Sequence, residues 1–158
     1  MGFTYSIDAD AAKVVGKGGL QVQGSSYHMI GNGLEVYCNG HTSWVIDDSA
    51  MEVIIEDAGS SDEAGPALIL AQLDKVFNLA SVKDGRIFTM TPKTDCGVSS
   101  AEITFGEDGS LRSGRFRLDG GETLDIRITY IRKEQKKDVS FFCPDIVFDS
   151  EWVVTDLR

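Results

Sequence analysis

The groups in this sequence that could do chemistry are two histidines, three cysteines and a scatter of carboxylates. His28 and His41 are far apart, and neither stands in an i, i+4 pair or beside a C-x-x-C, the spacings that let one short element offer two ligands to zinc. No metal site is expected. Cys38, Cys96 and Cys143 are widely spaced and odd in number, so they make no disulfide framework, and burial as small apolar side chains is their expected use. The sequence holds no G-x-S-x-G elbow and no G-x-x-x-x-G-K, and the glycines from Gly16 to Gly19 lack the following helix that phosphate cradling needs. Asp47 with Asp48, Glu122 with Asp125, and Glu102 leave open a carboxylate pair for general acid–base work, although solvated turn carboxylates are the plainer reading. Asp125, Glu102 and Asp47 are the first suspects for such an enzyme. Arg112, Arg115 and Arg117 would suit an anion site or, equally, a solubilised strand edge. No cofactor is expected.

The elements that must position these groups read as strands. The chain has 17 glycines and three prolines, and the glycines recur in turn dipeptides: Asn32-Gly33, Asn39-Gly40, Asp84-Gly85, Asp108-Gly109 and Gly120-Gly121. Asn-Gly and Asp-Gly tolerate the positive φ of tight turns, so the runs on either side should pair antiparallel. Around the last of these dipeptides, Leu124, Ile126, Ile128 and Tyr130 alternate with Asp125, Arg127 and Thr129, the two-residue period of a half-buried strand. Ala101, Ile103 and Phe105, then Met51, Val53 and Ile55, then Thr42, Trp44 and Ile46 alternate in the same way. The count comes to roughly nine to eleven strands. So many consecutive antiparallel strands must curl into a sandwich or a barrel.

One segment departs from this pattern. From Pro66 the sequence PALILAQLDKVFN predicts a helix of about three turns, with Pro at its first position, Asp62 and Glu63 ahead of it and Lys75 in its last turn. Its apolar residues leave only a narrow polar strip at Gln72 and Asp74, which calls for more than one buried face. Such a helix either closes the open side of a curved sheet permanently or acts as a movable plug sharing an apolar cavity with a ligand.

Bulk properties narrow the partners. At 158 residues the chain reads as a single domain, residues 1–158, and 42% apolar content suffices for a sizeable core. A net charge of −10 and a pI near 4.5 repel nucleic acid and anionic membrane surfaces. No apolar run approaches the roughly 18 residues needed to cross a bilayer. Phe3 to Ile7 reads as a strand rather than a leader, so the chain is either cytosolic or has had a signal removed. The opening MGFTYS fits a myristoylation pattern at Gly2 by chance. An all-β domain with one strongly apolar helix and no catalytic motif favours binding over turnover, and an apolar lining holds an acyl chain by about 0.8 kcal/mol per buried CH₂.

The order of features resembles the periplasmic outer-membrane lipoprotein carriers of the LolA-like type, especially their Bacteroidetes-type branch. The resemblance runs from Phe3 nearly to Arg158 through FTYSID, GLQVQGSSYHMIGNGLEVYCNGHTSWVIDDSAMEVII, the Pro66-led helix, a strand ending at Thr91-Pro92, and the final EWVVTDLR. It implies a half-open, unclosed β-barrel with a helical lid over a cavity that carries lipoprotein acyl chains across the periplasm toward the outer membrane. The resemblance further implies a lid that fills the cavity when no cargo is bound and moves aside for acyl chains. In three places the sequence departs from the family. The helix that usually precedes the first strand is not present, Gly24 stands where related carriers have a lid-tethering arginine, and Ile46 replaces an aromatic.

The expected function is therefore a periplasmic, non-enzymatic carrier, its signal peptide and first helix removed, whose partners are acylated lipoproteins or other lipids and a membrane-bound loading complex or receptor. The cavity and lid residues expected are Ile69, Leu70, Leu73 and Phe77 from the helix, with Phe88, Met90, Ile103, Phe105, Phe116, Leu124, Ile126 and Ile128 from the strands. Each sits on the apolar side of its alternation, a position that serves equally well as core. The alternative is a sensor or protein-interaction domain that recognises a peptide or partner at an edge strand.

Overall fold

The computed structural model describes residues 1–9, 12–31, 33–58 and 73–158. It is built almost wholly of strands: β1 (Gly2–Ala9), β2 (Ala12–Gln23), β3 (Ser26–Gly31), β4 (Leu34–Cys38), β5 (Thr42–Asp47), β6 (Glu52–Asp57), β7 (Phe77–Lys83), β8 (Ile87–Pro92), β9 (Val98–Phe105), β10 (Leu111–Leu118), β11 (Thr123–Tyr130) and β12 (Val153–Asp156). A four-residue helix, α1 (Leu73–Val76), and a 3-10 turn (Val139–Phe142) complete the described elements. The strands form one sheet in the order β12-β6-β5-β4-β3-β2-β1-β11-β10-β9-β8-β7. β12 and β7 end that order without pairing to each other, so the sheet is unclosed. β12 runs parallel to β6, and the other described pairings are antiparallel.

Four of the turn dipeptides, and Gly33 of the fifth, whose Asn32 lies outside the described residues, fall between two consecutive antiparallel strands. The β7–β8 turn shows why. Asp84 and Gly85 both have positive φ, 52° and 65°, and Arg86 N donates to Lys83 O at 3.1 Å. Two left-handed residues in succession give a turn whose twist matches that of the strands it joins.

The helix expected over residues 66–77 requires correction. Residues 66–72, with Ile69 and Leu70, lie outside the described residues. Among those described, helix is confined to Leu73–Val76, and Phe77 opens β7 instead of closing the helix. The hairpin register explains the change: Phe77 pairs with Pro92, and Lys93 N donates to Val76 O at 2.8 Å, so the ladder with β8 captures the chain directly after Val76. No helix that covers or plugs a cavity is found among the described residues.

The chain divides into two compact units, residues 1–17 with 62–131 and residues 18–61 with 132–158. In the first, the alternation read from the sequence sorts the two faces of β1, β11, β10, β9 and β8. Along one face the register aligns Tyr5, Ile126, Gly114, Ile103 and Phe88, and beside them Ile7, Leu124, Phe116, Ala101 and Met90. Ile103, Phe116, Leu124 and Ile126 are at most 1% exposed, which makes this row the unit's core. Phe77 packs near Phe116 with ring centroids 6.4 Å apart. The opposite face carries Ser6, Asp125, Arg115, Glu102 and Thr89 in register, a wet face by composition.

In the second unit, Ile46, Val53 and Ile55 form a buried cluster against which Tyr37, Trp44, Phe148 and Trp152 pack. Phe148 and Trp152 meet edge to face at 5.2 Å. They come from the segment after residue 131, which returns to the sheet as β12, with Val153 N donating to Met51 O and Leu157 N to Ile55 O. Gln23 holds the same segment from β2, its amide donating to Lys137 O and accepting from Lys137 N.

Candidate functional site

Within the first unit, the face carrying Phe88 and Ile103 holds an open cavity of about 530 Å³ lined by Leu73, Gly85, Arg86, Phe88, Met90, Ile103, Phe105, Gly106, Glu107 and Gly109. Its architecture follows from strand period and register. Phe88 and Met90 are two residues apart on β8 and therefore share a face. Phe88 lies opposite Ile103 of β9, so that face continues across the strand pair. Phe105, two residues on from Ile103, meets Phe88 edge to face at 5.2 Å. Ile103 is fully buried and forms the floor, while Leu73, Phe88, Met90 and Phe105 are half-buried and offer apolar surface to the cavity.

The rim is polar and comes from two hairpin turns. Phe105 N donates to Arg86 O at 2.9 Å, which sets the β7–β8 turn beside the β9–β10 turn. In the latter, Gly109 N donates to Gly106 O, and Gly109 takes φ 72°, the left-handed residue that closes the turn. Arg86 Nη1 and Glu107 Oε1 meet at 3.0 Å between the two turns, both largely exposed. Asp108 caps its own turn by accepting from Ser110 N and Oγ, and it pairs with Arg112 at 3.0 Å. Those hydrogen bonds hold the Asp108 carboxyl below the usual carboxylate range, led by the one from the Ser110 hydroxyl.

Of the expected cavity and lid residues, the structure brings Leu73, Phe88, Met90, Ile103 and Phe105 around this one space. Phe77, Phe116, Leu124 and Ile126 lie in the packed core, and Ile128 sits half-buried opposite Phe3. Sequence reasoning did not single out Arg86 and Glu107. Their only signal is position, since each adjoins a turn dipeptide at the end of a strand bearing cavity residues.

The carboxylates singled out for acid–base chemistry lie elsewhere. Asp125 receives Arg115 through Nε at 2.7 Å and Nη2 at 3.3 Å on the wet face, and Glu102 lies across from the same arginine. Asp47 accepts from Ser49 N, Ser49 Oγ and Ala50 N, a turn cap whose hydrogen bonds lower its pKa, the Ser49 hydroxyl contributing most. Among the described residues, no three His, Cys, Asp or Glu side chains gather as a metal site would require. The cysteines are free: Cys38 is buried, with its thiol pKa raised by burial, and Cys96 and Cys143 are half-buried. His28 belongs to a polar cluster in the second unit, its Nε2 2.7 Å from Glu35 Oε1 and its ring stacked on Tyr37 at 4.2 Å.

Comparison with solved structures fixes the type of fold. The chain superposes on an uncharacterized conserved protein from Thermus thermophilus with a TM-score of 0.53, over 98% of this chain and 90% of that one, at 8% identity. It superposes on a LolA superfamily protein from Nitrosomonas europaea with a TM-score of 0.51, over 91% of this chain and 89% of that one, at 11% identity. The fold is LolA-like. At these identities the likeness speaks to the fold alone. No protein-family model matches the sequence, and no curated protein matches it. Among the described residues, no helix is long and apolar enough to cross a membrane.

Proposed function

We propose that this protein is a periplasmic, non-enzymatic carrier that takes the acyl chains of lipoproteins into an apolar cavity and passes them toward the outer membrane. The observation that carries the reading is the 530 Å³ cavity walled by Leu73, Phe88, Met90, Ile103 and Phe105. Its size lies within the range of about 300–1,000 Å³ typical of small-molecule sites, and it stands on a LolA-like fold. The resemblance of the hairpin sequences to the Bacteroidetes-type carriers supports acylated lipoproteins as the cargo class. A carrier needs affinity it can surrender, and an open apolar groove supplies that, because burial contributes in proportion to the chain length inserted. A membrane-bound loading complex or receptor would supply and receive the cargo.

Native mass spectrometry with an acylated peptide and its unacylated twin tests this reading. The expected result is saturable binding of the acylated peptide alone. Phe88→Glu, which places an unpaired charge in the wall, is expected to weaken binding by about tenfold or more. Equal binding of both peptides, or of neither, would overturn the carrier reading.

The second reading, a protein-interaction domain, draws on the outer edge of β7. After Phe77 this strand is exposed along its length and is the last in the strand order, with Leu79 and Val82 55% and 47% exposed. Such an edge can accept an added strand, and on this reading the unacylated peptide would bind as well as its twin.

A further inference from the structure

From the rim of the cavity we infer that the cavity selects single-chain amphiphiles with a carboxylate head, free long-chain fatty acids above all, through Arg86. The inference rests on the cavity being an acyl-chain site, and it extends the ligand from protein-linked chains to free ones. Three observations carry it. First, polarity is segregated: the walls are Leu73, Phe88, Met90, Ile103 and Phe105, whereas the charged lining residues, Arg86 and Glu107, both sit at the paired hairpin turns. A ligand that satisfies both parts has an apolar tail and a polar end. Second, the one cation in the described lining is an arginine, whose planar fork of five N–H donors matches a carboxylate. Third, Arg86 already holds a carboxylate. Its Nη1 donates to Glu107 Oε1 at 3.0 Å, with side-chain exposures of 48% for Arg86 and 89% for Glu107.

That third observation shows how a ligand enters. An exposed ion pair of this kind contributes little, so a ligand carboxylate displaces Glu107 at little cost and keeps the arginine paired. The exchange replaces like with like. Glu107 is then a competing internal ligand that occupies the arginine until a fatty acid arrives. Its side chain returns to water, where a carboxylate is well solvated. A neutral head group would compete with Glu107 without bringing a charge to replace it. The volume of about 530 Å³ is large enough to admit such a chain.

The test is displacement of the neutral fluorophore N-phenyl-1-naphthylamine by lauric acid and, in parallel, by 1-dodecanol, which has the same chain length without the charge. The full chain is used in three forms: unaltered, Arg86→Gln and Glu107→Gln. The expected result for the unaltered protein is tighter binding of laurate than of dodecanol, by about two- to fivefold as an exposed arginine–carboxylate contact allows. Arg86→Gln should abolish that preference. Glu107→Gln should strengthen laurate. If laurate and dodecanol displace the probe equally in all three forms, the carboxylate inference fails while the acyl-chain site stands. If neither displaces the probe and the probe itself does not bind, the cavity is not a lipid site and both readings fail. Circular dichroism of the two variants confirms that they fold, which both exposed positions allow.

Discussion

Individual side chains show how the same apolar alternation yields two different roles. Phe88 and Phe116 are both aromatics on the same sheet face, yet Phe88 is half-buried in the cavity wall and Phe116 is fully buried. Replacing Phe116 by Ala deletes a ring from close-packed core and is expected to cost about 3–5 kcal/mol, read as a drop in the urea midpoint with the slope unchanged. Phe88→Ala removes a ring that already faces a cavity, and its urea midpoint should fall by clearly less. Tyr37 provides a pH prediction. Its phenol is pushed up to about 12, chiefly by burial and then by its hydrogen bond to the Glu35 carboxylate and that group's charge. A phenol raised above its ordinary value of about 10 contributes stability that is full below pH 10 and is lost as pH climbs toward 12. Ultraviolet titration should therefore find one tyrosine ionising near pH 12, and Glu35→Gln should lower that value.

At the scale of the element, the hairpins were the legible part of the sequence. Asp84-Gly85 or Asp108-Gly109 fixes a local backbone geometry that two or three residues suffice to specify, and each was found between the strands it predicts. The period-two pattern around Leu124, Ile126 and Ile128 likewise gave the face but not the depth, because depth depends on which strands lie alongside. Two things were hidden for physical reasons. Phe77 reads as the last apolar residue of a helix, but its backbone is taken by the ladder with β8, a contact set by the Asp84-Gly85 turn and Pro92 rather than by local propensity. Arg86 and Glu107 pair across two turns distant in sequence, so no local pattern could join them. Gly85, at φ 65°, tests the role of the turn. Gly85→Val places a β-branched residue in the left-handed region and is expected to destabilise the protein by about 1–2 kcal/mol. Chemical denaturation would measure it. Since this turn carries Arg86, Gly85→Val should also narrow the preference for laurate over dodecanol.

The molecule as a whole is an unclosed sheet of LolA-like fold with a net charge of −10. That charge opposes approach to anionic lipid surfaces, so delivery of cargo would depend on a docking partner rather than on attraction to the bilayer. On the proposed function an acyl chain lies against β8 and β9, and one of the four methionines reports on that place directly. Met90 lines the cavity, whereas Met29 and Met51 belong to the second unit. With the methionine methyl groups labelled with carbon-13 and the Met90 resonance assigned by Met90→Leu, nuclear magnetic resonance can follow each methyl during titration with the acylated peptide and its unacylated twin. The Met90 methyl should shift saturably with the acylated peptide alone while those of Met29 and Met51 stay in place. A Met90 resonance unmoved at saturating acylated peptide, or one that moves equally with both peptides, would contradict it.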